Sequence, residues 1–236
     1  MAALRTRAVR EGDGGWLLNG SKMYITNGVL ADLLFVAART DAAAKGSRGL
    51  SIFAVPRGTP GLRVGRTLAK SGWLASDTAE LVFEDCRVPA DALLGEENGG
   101  FHAIMRNFQT ERIALGSMAI GHCLTALDLT HRYVTGRRAF GGPLWDRQVI
   151  RQKLAMLAAQ TEAARRLLYH CAALVDAGAD AVREVSMLKA LTGELVNDVM
   201  YACQQFHGGA GYMRESAIER LVRDARVLAI GGGATE

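Results

Sequence analysis

The stretch "GEENGGF", residues 95–101, divides the chain into two kinds of sequence. Ahead of it, between residues 15 and 88, short runs rich in β-branched and aromatic residues are separated by turn residues. They are "WLLNG" (16–20), "SKMYITNG" (21–28), "LLFVAART" (33–40), "GLSIFAV" (49–55), "GLRVGRTL" (61–68) and "AELVFEDCRV" (79–88). Behind it no proline follows Pro143, and apolar residues recur with helical spacing. The expectation is α+β: a β-barrel-like domain over residues 1–95, followed by a four-helix bundle over 96–236.

The first helix is predicted at about 100–135, with Ile104, Phe108, Leu115, Ala126, Leu129 and Tyr133 on one arc. Ile113, Ile120 and Leu127 lie opposite, which suits a central helix. A second helix at about 146–177 carries Ile150, Leu154, Leu157, Ala164, Leu168, Cys171 and Val175 near heptad spacing. A third at about 181–206 uses Val182, Val185, Leu188, Leu195, Val199 and Phe206, and a short fourth contains "SAIERLVRDARVL" (216–228). Long helices joined by short loops pack most simply antiparallel.

With 236 residues, 49% of them hydrophobic, the chain has the composition of a globular protein and not of a disordered one. A net charge of +4 is too small and too scattered for a nucleic-acid footprint. Contiguous apolar runs are shorter than a bilayer, and the N-terminus lacks an apolar secretory core, so no membrane span and a cytoplasmic location are expected. Cys86, Cys123, Cys171 and Cys203 are too dispersed for a disulfide framework or a zinc motif, and no histidine stands at ligand spacing with a second His or Cys. No metal is expected.

Four segments carry candidate chemistry. Glu111, in "NFQTERIAL" (107–115), shares the apolar arc of the first helix, where partial desolvation would favour a general base; an ion pair with Arg112 or another arginine is the plainer reading. "QQFHGGAGY" (204–212) has the glycines of a dinucleotide loop but follows a helix instead of a strand, so it reads as a helix stop or as a different phosphate contact. "TGRRAFGGPL" (135–144) offers arginines for a pyrophosphate or simply a solvated turn. In "KMYITNG" (22–28), strand alternation would put Tyr24 and Thr26 on one side, as a platform for a planar cofactor or as ordinary sheet residues.

Five segments in order resemble the acyl-CoA dehydrogenase family: "GWLLNGSKMYITNG", "KSGWLASDTAELVFEDCRVPADALLGEENGGF", "TGRRAFG", "QQFHGGAGYMRESAIERLVRDARV" and the closing "IGGGATE". The resemblance implies a β domain and a four-helix bundle with FAD between them and across a subunit interface, in a homodimer or homotetramer. It puts Tyr24 and Thr26 at the flavin ring, Arg137, Phe140 and Gln148 at the adenosine-diphosphate half, and Gln205, Gly208 and Gly209 at the neighbouring subunit's cofactor. Ala234 stands where the family commonly has threonine, so that contact is lost or is replaced by one from Thr235. The substrate implied is an acyl-CoA, and the acceptor an electron-transferring flavoprotein.

In many family members the base is a glutamate of the terminal loop, at the position of Gly232. In the isovaleryl-CoA and long-chain branches it comes from the first long helix, at the position of Glu111. The resemblance therefore assigns proton abstraction to Glu111 and places Gly232, together with Arg112, on the substrate side. It also implies an N-terminal helical domain and a last helix outside this chain. A non-catalytic remnant or partner subunit, and a flavin-dependent oxidase or monooxygenase relative, are the alternatives.

Overall fold

The computed structural model describes residues 4–234, and the chain falls into two compact units, Met1–Arg106 and Asn107–Glu236. In the first, strands β1 (Arg7–Arg10), β2 (Trp16–Thr26), β3 (Leu33–Arg39), β4 (Leu50–Pro56), β5 (Leu62–Thr67), β6 (Thr78–Val88) and β7 (Leu93–Leu94) form one sheet in the order β5-β6-β2-β1-β3-β4-β7. Every pairing is antiparallel except β1 with β3. Alternation carries Leu34, Val36 and Ala38 of β3 inside, and Phe53 and Val55 of β4 meet Trp16 and Leu18 of β2 and Leu81 and Phe83 of β6 in the same core. The Trp16 and Phe53 rings pack edge to face, 5.2 Å between centroids, beneath the Arg10 guanidinium.

Two irregularities in β2 matter for the site. Gly20 has φ +134°, and a Cβ there would lie 2.8 Å from Thr6 Cα, so the strand passes β1 only because the side chain is absent. A second register shift falls between Lys22 and Ile25, with Tyr24 at φ 60°. Simple alternation therefore does not run through "KMYITNG", which removes that argument for pairing Tyr24 with Thr26.

The "GEENGGF" junction ends the sheet and starts α1 (Gly100–Gly136). The Asn98 N–H donates to Ser51 Oγ (2.8 Å), and the Asn98 Oδ1 accepts from Thr40 Oγ1 (2.7 Å). A Cβ on Gly100 would sit 2.8 Å from the Leu50 carbonyl oxygen, so the helix starts directly against β4.

The second unit contains most of α1, a hairpin of β8 (Arg138–Ala139) and β9 (Gly142–Pro143), α2 (Gln148–Asp176), α3 (Val182–His207) and α4 (Ala217–Ala225). Single 3-10 turns follow α3 (Gly208–Tyr212) and α4 (Arg226–Ala229). On α2 the buried set is Ile150, Leu154, Leu157, Thr161, Ala164, Leu168 and Cys171, the heptad seam expected with Thr161 added, while Val175 is only half-buried. The central helix is α3, not α1: α3 packs against α2, α4 and both 3-10 turns. On α1 the buried line runs through small residues, Ala119, Cys123, Ala126 and Thr130, with Ile120 and Val134. Met118 and Leu124 stay exposed.

From Ile113 to Leu127, α1 contains no charged residue. Its mean hydropathy over an 18-residue window reaches 1.4, so by length and composition it is long and apolar enough to cross a membrane, a property that contiguous apolar runs did not reveal. A core helix of a bundle meets the same description.

Candidate active site

The terminal loop is built where α4 and its 3-10 turn run out beside α3. A Cβ on Gly193 would come within 3.1 Å of Ala229 Cα, so α3 and the turn touch through a glycine. The Ile230 and Gly231 N–H groups both donate to the Val227 carbonyl, at 2.9 and 2.7 Å. Beyond them Gly232 (φ 67°) and Gly233 (φ 103°) take left-handed conformations that glycine adopts without strain.

Three loop carbonyls are held by two cations. Lys189, on α3 and only 5% exposed, donates from Nζ to the Ala229 carbonyl (3.0 Å) and to that of Gly233. Arg112, on α1, donates from Nε to the Gly232 carbonyl (3.3 Å) and from Nη1 to Ser186 Oγ (3.5 Å). Among the described residues the Gly232 and Gly233 N–H groups have no backbone acceptor. Side chains of α1 and α3 thus satisfy three loop carbonyls, while two loop amides have no backbone partner among the described residues.

Glu111 is half-buried and has neither a hydrogen bond nor an ion pair among the described residues; the pairing with Arg112 is not formed. Residues i and i+4 share a helix face, so Glu111 and Leu115 stack along α1. A Cβ on Gly232 would fall 2.6 Å from Leu115 Cδ1 and 3.9 Å from Arg112 Cγ. One face of α1 therefore carries a carboxylate a turn away from the glycine loop.

The other predicted residues present unused groups on their own surfaces. Tyr24 is 77% exposed, Thr26, Arg137, Gln148 and Gln205 are exposed, and their side chains make no hydrogen bond among the described residues. Phe140 is the first residue of a two-residue β8–β9 turn with Gly141, and both have positive φ (53° and 87°), the geometry of a type I′ hairpin. An aromatic residue is strained there. Arg147 holds it, donating to the Phe140 carbonyl (2.7 Å) and stacking over its ring (5.5 Å), and the ring stays 85% exposed. A Cβ on Gly208 or Gly209 would touch nothing, while one on Gly211 would lie 2.6 Å from the Gln204 carbonyl oxygen, so the last of these glycines shapes the turn and the first two leave bare backbone outside. Thr235 lies outside the described residues.

Two further features lie outside the residues expected from the sequence. Lys189 was legible as a charge on the Val185–Leu188–Thr192 arc of α3. An open cleft of about 930 Å³ in the β unit, lined by Lys45, Ser47, Arg48, Asn98 and His102, arises from the β3–β4 loop folding around Arg39, whose guanidinium donates to the Ala44, Gly46 and Arg48 carbonyls. Among the described residues no cluster of His, Cys, Asp and Glu could hold a metal.

The acyl-CoA dehydrogenase middle-domain model matches residues 1–86, and the C-terminal-domain model of the same family matches residues 98–236. The chain belongs to the acyl-CoA dehydrogenase family. It is 43% identical to the mitochondrial long-chain specific acyl-CoA dehydrogenase of Mus musculus, aligning over all of this chain and 55% of that protein. It is 42% identical to the short-chain specific enzyme of Homo sapiens, over 99% of this chain and 56% of the other. The acyl-CoA dehydrogenase structure from Geobacillus kaustophilus superposes with a TM-score of 0.96 at 41% identity, covering 99% of this chain and 62% of that one. The chain therefore spans little more than half the length of these relatives.

Proposed function

We propose that this chain is the middle and C-terminal part of an FAD-dependent acyl-CoA dehydrogenase that uses Glu111 as its base. The observation that carries the reading is the pairing of a side-chain-free Gly232 with an uncommitted Glu111 on the α1 face that meets the terminal loop. Glu111 would take the α-proton of the thioester. The Gly232 and Gly233 N–H groups would donate to the thioester carbonyl, acidifying that proton.

The exposed donors of Tyr24, Thr26, Arg137, Gln148 and Gln205, the bare Phe140 ring and the open backbone at Gly208 and Gly209 fit the ring, hydroxyl and phosphate groups of FAD, with the last three residues (Gln205, Gly208, Gly209) serving a partner's cofactor. When bound, FAD supplies the hydride acceptor. Lys45 and Arg48 suit an anionic portion of coenzyme A. Exposed Val149, Met156, Met187, Leu191 and Tyr201 on α2 and α3 support a homo-oligomer, and an electron-transferring flavoprotein is the proposed acceptor.

The test is the visible spectrum of the purified chain, followed by anaerobic titration with acyl-CoAs from butyryl to palmitoyl. Flavin bands that bleach on titration are expected. A colourless protein that takes up no added FAD would favour a non-catalytic remnant.

A further inference from the structure

The terminal loop owes its shape to a group the proposed chemistry does not use. Lys189 lies 5% exposed on α3, one turn before Gly193, the glycine that lets α3 touch Ala229. Its Nζ bonds the carbonyls of Ala229 and Gly233, residues that bracket the glycine turn at both ends. An ammonium group is buried at low cost only when hydrogen-bonded, and the carbonyls at the end of the α4 and 3-10 segment carry the partial negative charge of a helix C-terminus. Amine and loop therefore satisfy each other.

The consequence falls on the amides of the same loop. With the Ala229 and Gly233 carbonyls bonded to Lys189, and the Ile230 and Gly231 N–H groups closed onto Val227, the Gly232 and Gly233 amides are the loop donors that have no backbone acceptor among the described residues. We propose that Lys189 is the positioning residue of the thioester site: it clamps the loop so that these two amides are aimed at an acyl-CoA carbonyl. The proposal rests on the acyl-CoA dehydrogenase reading above. Lys189 itself touches no substrate.

Lys189→Met keeps the apolar stem and removes the donor. Lys189→Arg keeps a cation that can reach two carbonyls. In hydrogen exchange, Lys189→Met should speed exchange at Ile230 and Gly231, the loop amides bonded to Val227, by about 10-fold or more, with α2 and α3 core amides unchanged, and Lys189→Arg should restore most of the protection. In the flavin-loaded chain, kcat for reduction by an acyl-CoA should fall by about 10²-fold in Lys189→Met with KM within a few-fold, as for loss of oxyanion donors, and recover in Lys189→Arg. Unchanged loop exchange in Lys189→Met would overturn the clamp. A loosened loop with full kcat would overturn its link to the thioester. Should Lys189→Met unfold the bundle, Lys189→Arg decides alone: a folded core with an unprotected loop contradicts the proposal, and native loop protection with retained kcat supports it. Failure of the functional reading would look different, as a chain that never binds flavin whatever stands at position 189.

Discussion

A Cβ placed on Gly232 would lie 2.6 Å from Leu115 Cδ1, closer than any two such atoms approach in practice, so the tip of Leu115 occupies the room that a side chain at 232 would need. The relationship bears on where the catalytic carboxylate can stand. Gly232 also has φ 67°, which an L-residue adopts at a cost of about 1 kcal/mol or more. A glutamate at 232 would thus have to displace the flexible tip of Leu115 and hold a left-handed backbone at once. Glu111→Gln with Gly232→Glu is expected to stay near the rate of Glu111→Gln alone, and adding Leu115→Ala should recover at least part of the lost flavin reduction. Recovery in the double variant would show that Leu115 yields freely.

Phe140 separates stability from cofactor binding. It combines a left-handed backbone with an 85% exposed ring, so Phe140→Gly relieves strain and removes no core contact. Urea unfolding should show stability unchanged or raised by up to about 1 kcal/mol. Flavin content should nonetheless fall. A destabilised variant with full flavin content would contradict both halves.

Lys22 gives the β unit a pH signature. Burial lowers its ammonium to about 8 from the ordinary 10.5, while its Nζ donates to the Ala37 carbonyl. Between pH 8 and 10.5 the unfolded chain holds the proton that the folded chain has released, so this group's contribution to stability rises with pH across that window and is flat below it. Comparing the unfolding midpoints of wild type and Lys22→Met isolates the effect from other groups. The difference should move in favour of wild type from pH 8 to 10.5, and a constant difference would contradict the burial of the amine.

The four thiols should be silent. Cys86, Cys123, Cys171 and Cys203 are all buried, and burial pushes Cys123 up to about 12 and raises the other three. A thiol reagent at pH 8 should label none of them in the folded chain within minutes and all four in urea. Fast labelling of the folded protein would mean that one of these cysteines opens to solvent.

Much of this fold is written in periodicity. The α2 seam from Ile150 to Cys171 and the alternation of β3 and β4 could be read residue by residue because each packs one regular face. β1 could not: in Arg7–Arg10 only Ala8 is buried, so the strand exists through its pairing with β2 and β3 and not through its own pattern. The central role of α3 was hidden for a related reason. Its core line includes Lys189, Thr192 and Gly193, which break an apolar pattern and make sense only through the carbonyls and backbone they meet. At the site, Glu111 was legible as a carboxylate on an apolar arc, whereas its setting beside Leu115 and Gly232 depends on contacts 117 residues or more apart, which no local pattern encodes. The bulge at Tyr24 and the strained turn at Phe140 break local rules outright, and both fall at residues proposed to meet FAD.

Anaerobic stopped-flow reduction of the flavin-loaded chain by an acyl-CoA, with wild type set against Glu111→Gln, tests directly whether Glu111 is the base. The amide keeps the shape of the side chain but cannot accept the α-proton. A reduction rate lower by about 10² to 10⁴-fold is expected, with unchanged flavin content and thermal stability. A Glu111→Gln chain that reduces its flavin at the wild-type rate would contradict it.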